Sequence, residues 1–255
     1  MFRYALLGLV QGLTEFLPVS SSGHLVLAQE LLGVASPGVA LEAAAHLGTL
    51  VAVLVYFRGD LWTLATRSLR RGRGERRYLG LLVLGTVPIA VVGVGARGVV
   101  ERAFSAPALV GWMLIVTAAL LAGAGWWGRR TRREQPRAGD AIVVGLAQAA
   151  AILPGLSRSG ATVAAGLGTG LTPREAVRFS FLLSVPAIAG GGAFALVTTR
   201  GLEAMDWGGL AVGAATAFAG GLAAIRFFLA AVRSLRLWPF ALYCMAVGVT
   251  AILVG

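Results

Sequence analysis

Glu15, His24 and Arg158 each interrupt a run of otherwise apolar sequence. Glu15 and His24 belong to QGLTEFLPVSSSGHL (Gln11 to Leu25), which also holds three consecutive serines, while Arg158 belongs to LPGLSRSGAT (Leu153 to Thr162). Gln11 and Glu15 are four apart, so a helix places both on one face with oxygens able to share a cation. Ser20, Ser21 and Ser22, followed by Gly23, offer hydroxyls and free backbone N–H groups at a helix start, a cradle suited to an anion such as phosphate. A lone serine there would simply cap the helix. The His24 imidazole suits proton transfer or attack near neutral pH, and Ser21 is a competing nucleophile, activated by His24. The planar Arg158 guanidinium matches phosphate oxygens, unless it snorkels to the surface. Glu42 and His46, also four apart, read equally as support for this site or as an internal pair. Arg174, Glu175 and Arg178 read as anchors ahead of the next apolar segment.

These groups need a scaffold, and the composition says which kind. The chain has 255 residues, of which 57% are hydrophobic and only 13% charged, with a mean hydropathy of +0.81. A soluble domain carries about 25% charged residues, so the chain is expected to be an all-α polytopic membrane protein. Its net charge of +11 comes from 22 basic residues, all arginine. They cluster in RSLRRGRGERR (67–77) and RRTRREQPR (129–137), between apolar segments, where membrane orientation explains them and nucleic acid is not expected. The single cysteine, Cys244, forms no intramolecular disulfide and is expected to face lipid or pack in the core. The N-terminus lacks the basic region and cleavage site of a secretory signal and is expected to be retained.

Six stretches approach the roughly 20 apolar residues a bilayer requires: about 39–57, 79–97, 106–128, 175–198, 207–230 and 238–255. Residues 2–34 and 140–171 instead read as helix, break, helix, because Pro, Ser and Gly interrupt them midway. A broken backbone at membrane depth must be buried in protein or line a wet cavity, so both are expected to be re-entrant hairpins. GLVQ at Gly8 and GLAQ at Gly145 mark a weak repeat: in both, the Gln lies twelve residues before a Ser-Gly glycine, Gly23 or Gly160. The expected architecture is one membrane domain, 1–255, with a first repeat over 1–138 and a second over 139–255. Each repeat has one re-entrant pair and three spans. If the two arginine-rich loops are cytoplasmic, Arg97, Arg102 and Arg200 fall outside, and Arg174, Arg233 and Arg236 inside. That solution inverts the repeats, places both termini outside, and brings the two breaks together near the midplane. Small residues in AVGAATAFAGG (211–221) would permit close helix packing or a homodimer.

Carboxylate, hydroxyls, imidazole and arginine in a membrane cavity suit a phosphate or diphosphate whose remainder is lipid. The two motifs also resemble the signatures of the bacterial undecaprenyl-diphosphate phosphatases of the bacitracin-resistance type. The similarity extends through EAAAHLGTLVAVLVYF from Glu42 and REAVRFSFLLSVPAI from Arg174. The resemblance implies hydrolysis of undecaprenyl diphosphate to the monophosphate, which recycles the carrier lipid for peptidoglycan synthesis. It implies a multi-pass protein of the cytoplasmic membrane with its site open to the outer face. It implies Glu15, Ser21, His24 and Arg158 as catalytic residues, and Ser20, Ser22, Gly23, Ser157, Ser159, Gly160 and Thr162 as substrate-binding. It also implies a divalent cation, Mg2+ or Ca2+, on Gln11 and Glu15. Position 11 is Gln where relatives can carry Glu, which removes one negative charge from that site. The rival expectation is a transporter or flippase of the lipid phosphate or another anion, since inverted repeats and broken helices also build carriers.

Overall fold

The computed structural model describes residues 1–31, 38–69, 72–95, 103, 106–130, 133–198 and 206–254. Arg97, Arg102 and Arg200, used above to assign sides, lie outside the described residues. Among those residues the chain forms helices α1 (Phe2–Phe16), α2 (Ser21–Leu31), α3 (Gly38–Tyr56), α4 (Arg58–Leu69), α5 (Arg73–Gly95) and α6 (Pro107–Trp127). The second half contributes α7 (Ala138–Ala150), α8 (Arg158–Gly168), α9 (Pro173–Thr198), α10 (Trp207–Arg233) and α11 (Trp238–Val254). The only strand-like pairing among the described residues is an isolated bridge between Arg133 and Leu171, so the all-α expectation holds.

Among the described residues four helices are long and apolar enough to cross a membrane: Arg73–Gly93, Ala108–Arg130, Pro173–Ala193 and Trp207–Arg233. A fifth span is added if α3 and α4, bent by 69° where they meet, are taken as one. The last apolar stretch is a shorter helix, Trp238–Val254. At 1.5 Å per residue its 17 residues reach about 25 Å. Val51, Val83, Val87, Val91, Phe227 and Leu242 point outward and exposed. Apolar residues in such number on the outside of helices are what hydrocarbon, rather than water, solvates. This is a multi-pass membrane protein.

Both expected breaks are present, with α1 and α2 parted at Leu17–Ser20 and α7 and α8 at Ala151–Ser157. The proline and left-handed residues explain why. Pro18 and Pro154 cannot supply a helical N–H, and Ser20 (φ 69°) and Gly155 (φ 90°) are left-handed. Tight glycine contacts hold the arms against their neighbours. A Cβ on Gly8 of α1 would collide with the Gly213 carbonyl of α10, and one on Gly145 of α7 would lie 2.5 Å from the Gly85 carbonyl oxygen of α5. Each half thus lays its first arm on a helix of the other half, at the two glycines that open the GLVQ and GLAQ repeats. Gly111 of α6 and Gly248 of α11 meet reciprocally, each added Cβ lying 2.7–2.8 Å from the other's carbonyl oxygen.

One side of the small-residue stretch at 211–221 is used inside the chain. Gly213 and Ala217 meet Gly8 and Gly12 of α1, and Ala214 meets Gly48 of α3. That side packs helices closely, as one of the two readings required, while Ala211, Ala215 and Ala219 stay exposed. Cys244 is fully buried and its thiol donates to the Pro18 carbonyl at 3.3 Å, which resolves its placement toward core packing.

Candidate active site

Glu15 is the penultimate residue of α1, buried, and side chains from four elements converge on its carboxylate. Arg158, the first residue of α8, donates from Nη2 to Oε1 at 2.8 Å. Ser21, the first residue of α2, donates to Oε2 at 2.6 Å. Gln11, one turn earlier in α1, donates from its amide to Oε2 at 2.8 Å. His46 of α3 brings Nε2 to 3.8 Å from Oε2. The ion pair joins residues 143 apart in sequence, so the two breaks meet, as the pairing of the two motifs required.

The breaks are also stitched through their backbones. The Gly155 N–H donates to the Ser20 hydroxyl at 3.2 Å, and the Ser159 hydroxyl donates to the Leu17 carbonyl at 3.1 Å. Thr117 of α6 closes the second break: its hydroxyl reaches the Gly155 carbonyl at 3.1 Å and accepts from the Ser157 N–H at 3.0 Å. Such partners are obligatory where lipid supplies none. Sequence reasoning did not single out Thr117, because a threonine in an apolar helix ordinarily bonds its own i−4 carbonyl.

The remaining second-motif residues are spent on this architecture. Ser157 is the N-cap of α8, accepting from the Gly160 N–H at 3.2 Å. Gly160 packs on Pro18, which an added Cβ would approach to 3.2 Å. The Thr162 hydroxyl pairs with Ser180 of α9 at 2.5 Å. All of Ser157, Ser159 and Thr162 are buried. A small hollow between Glu15, Arg158, Ser159, Thr162, Ser180 and Ser184 adds two serines from α9 that no motif singles out. Ser20 and Ser22 hydroxyls lie 3.3 Å apart, and Gly23 has no neighbour closer than 3.8 Å to a hypothetical Cβ, leaving that side of the α2 N-terminus open.

His24 departs from the expected arrangement. Its Nδ1 meets the Ser20 carbonyl oxygen at 2.8 Å and its Nε2 meets the Tyr243 hydroxyl at 2.5 Å. The proton acceptor of Ser21 is therefore Glu15, and activation of Ser21 by His24 is corrected: the α2 helix turns His24 away from Ser21 onto α11. His46 was left between two readings with Glu42. Its Nδ1 takes the Glu42 backbone carbonyl at 2.7 Å while Nε2 faces Glu15, so it belongs to the site and not to a carboxylate pair.

Arg178 is not a free anchor. It binds Asp60 of α4 at 2.7 Å and Glu175 at 3.3 Å and lies 4.7 Å over the Tyr78 ring, and Tyr78 donates to Glu175 at 2.7 Å. This network borders an open cleft of about 270 Å³ between α4, α5 and the loop at Glu134 to Pro136. In that loop Arg133 grips Asp140 through both Nη atoms, at 2.6 and 2.9 Å, and ties the start of α7 to the α8–α9 connection.

The family described as "Bacitracin resistance protein BacA" matches residues 4–250. A Rubrobacter xylanophilus protein named undecaprenyl-diphosphatase is 45% identical over 260 residues, covering 97% of this chain and 96% of its own. A Nitrosococcus oceani protein of the same name is 42% identical over 249 residues, covering 95% and 94%. A Frankia alni protein named undecaprenyl-diphosphatase 3 is 42% identical over 273 residues, covering 97% and 92%. With a match along nearly its whole length and a Glu–Arg–Ser cluster built from both of its broken helices, this chain is a member of the bacitracin resistance protein BacA family.

Proposed function

We propose that the protein is an integral membrane phosphatase that hydrolyses undecaprenyl diphosphate to undecaprenyl phosphate and inorganic phosphate, the step that returns the carrier lipid to peptidoglycan synthesis and confers bacitracin resistance. It acts in the bacterial cytoplasmic membrane, with its site open to the periplasmic face. The observation that carries the reading is the Glu15 carboxylate holding Arg158 and Ser21 at the meeting point of two helix N-termini, α2 and α8. The curated relatives carry a phosphatase name over nearly their full length, and the transporter alternative is not favoured.

The chemistry follows from what each group is already holding. Arg158 rests on Glu15; a diphosphate carries more charge than one carboxylate and draws the guanidinium fork onto its oxygens. The first N–H groups of α2 have no intrahelical partners, and with the helix dipole they stabilise the charge that grows on the transferred phosphoryl group. Glu15 takes a proton through the bond it already shares with the Ser21 hydroxyl, so Ser21 is the nucleophile its geometry favours if a hydroxyl attacks. His24, with its lone pair on Nε2, is the competing nucleophile or the base for water. Ser20, Ser22 and Gly23 line the open side of the cradle, where the phosphate oxygens fit.

The side chains also fit a divalent cation. Gln11 points its N–H group at Glu15, since turning its oxygen there would set two acceptors face to face, and its Oε1 is then a buried oxygen with no hydrogen-bond partner among the described residues. Gln11 Oε1 and a Glu15 oxygen freed by Arg158 would hold Mg2+ or Ca2+, with diphosphate oxygens and water completing the shell, as Mg2+ prefers. A bound cation would neutralise charge on the leaving phosphate.

Phosphate release from a prenyl diphosphate by purified protein in detergent tests the reading. Release is expected to stop with EDTA and return with Mg2+ or Ca2+. Arg158→Lys keeps the positive charge but loses the fork, and is expected to lower turnover about 100-fold, with the melting temperature little changed. Full turnover in Arg158→Lys, or release that ignores EDTA, would reject the assigned roles.

A further inference from the structure

The catalytic imidazole is held at both nitrogens, and one holder comes from outside both motifs. The Ser20 carbonyl can only accept, so Nδ1 at 2.8 Å carries the proton and the neutral ring keeps its lone pair on Nε2. The Tyr243 hydroxyl, 2.5 Å from Nε2, is then the donor, and that hydroxyl occupies the electron pair His24 needs for either role. The rings lie nearly parallel, 18° apart with centroids at 5.6 Å. The next residue, Cys244, bonds the Pro18 carbonyl at 3.3 Å, so α11 delivers two consecutive side chains onto the first break. Tyr243 itself is only partly covered, 44% exposed, and has room to swing outward.

We propose that Tyr243 is a positioning residue for His24. In the resting enzyme it caps Nε2 and keeps the ring oriented, and the substrate's terminal phosphoryl group displaces the tyrosine hydroxyl to meet that lone pair. The cap is a hydrogen bond exchanged for another contact, and no covalent step involves the tyrosine. This rests on the reading that His24 acts through Nε2.

The chain holds only two histidines, which makes the cap directly measurable. Diethyl pyrocarbonate acylates an imidazole through a free nitrogen lone pair, and peptide mass separates label on His24 from label on His46. Loss of one neutral hydrogen bond in Tyr243→Phe is expected to speed labelling of His24 by about three- to tenfold, with His46 unchanged as the internal reference. The phenylalanine keeps the stacked ring, and no buried group is left unpaired on the half-exposed α11 face. The same variant is expected to lower KM for the prenyl diphosphate by about the same factor, because the free enzyme no longer has a contact to break. Equal labelling of His24 in both proteins, a parallel rise at His46, or a KM that stays or rises would overturn the cap. Failure of the underlying reading is separate: a His24→Ala protein that still releases phosphate would remove His24 from catalysis while leaving the labelling result intact.

Discussion

Glu15 concentrates the site into one side chain. Its two oxygens carry three donors, from Arg158, Ser21 and Gln11, and a fourth group, His46, stands 3.8 Å away. Ionised carboxylate and guanidinium are each costly alone at this depth, so pairing is the condition for burying either. The meeting of the two breaks was legible in the sequence; the direct Glu15–Arg158 pair was not, since a guanidinium fork suits phosphate oxygens equally well. Nor was the place of His46 legible. Its approach to Glu15 depends on how far α3 is rotated, and the close seat of Gly48 on Ala214 that bears on that rotation is not visible in the chain alone. Tyr243 gave no signal at all, lying 219 residues from His24 in a helix with no polar pattern. Gln11 offers a prediction at this scale. Gln11→Glu would put a second carboxylate against Glu15, so the metal-free protein is expected to melt at a lower temperature while the cation concentration for half-maximal phosphate release falls about tenfold, the gain from one added anionic ligand on a hard cation. Calorimetric melting with and without Mg2+, beside a cation titration of activity, measures both. An unchanged cation requirement would place the metal away from position 11.

At the scale of elements, the two breaks are positioned by glycine seams rather than by polar bonds alone. The α1 arm lies on α10 through Gly8 and Gly12, and the α7 arm lies on α5 through Gly145. In lipid there is little hydrophobic drive between helices, and close backbone approach supplies the attraction. A methyl group at Gly8 must therefore push α1 away from the Gly213 carbonyl, and with it Gln11 and Glu15, which sit one and two turns further along. Gly8→Ala and Gly145→Ala are expected to destabilise by about 1–3 kcal/mol, the usual cost of overpacking, and Gly8→Ala to lose activity out of proportion to stability. Gly190→Ala is the control, since nothing lies within 4 Å of its added Cβ. Thermal unfolding followed by size-exclusion fluorescence ranks the three. If Gly8→Ala melts like Gly190→Ala, the seam does not position the arm. The sequence carried the breaks clearly, because Pro, Ser and Gly in an apolar run are unambiguous. It carried the seams only as small-residue patches with two readings, since the chain alone does not say whether such a face meets its own helices or a second copy. The bend of 69° between α3 and α4 was also hidden: the span was visible, but Gly59, two residues past the turn at Phe57, does not by itself announce a bend.

At the scale of the whole molecule, charge placement and helix arrangement make one joint prediction about orientation. Arginines crowd the end of the protein where α4 meets α5, α6 meets α7 and α10 meets α11, and that end also holds the Arg178–Asp60–Glu175 and Arg133–Asp140 pairs. The positive-inside rule assigns that end to the cytoplasm, which leaves α2 and the first break to be reached from outside and inverts the second repeat relative to the first. The lone native cysteine, Cys244, is fully buried, so Cys244→Ser gives a cysteine-free background with little surface change. Single cysteines at Arg129 or Arg236 are expected to resist a membrane-impermeant maleimide in intact cells and to react after permeabilisation. Cysteines at Ala106 or Trp207 are expected to react in intact cells, because an odd number of crossings separates them from the arginine-rich end. Labelling of all four from one side would break the inverted arrangement. Labelling with the sides exchanged would keep the inversion but turn the site toward the cytoplasm, where it would meet the carrier lipid on the wrong face for recycling what the outer leaflet releases.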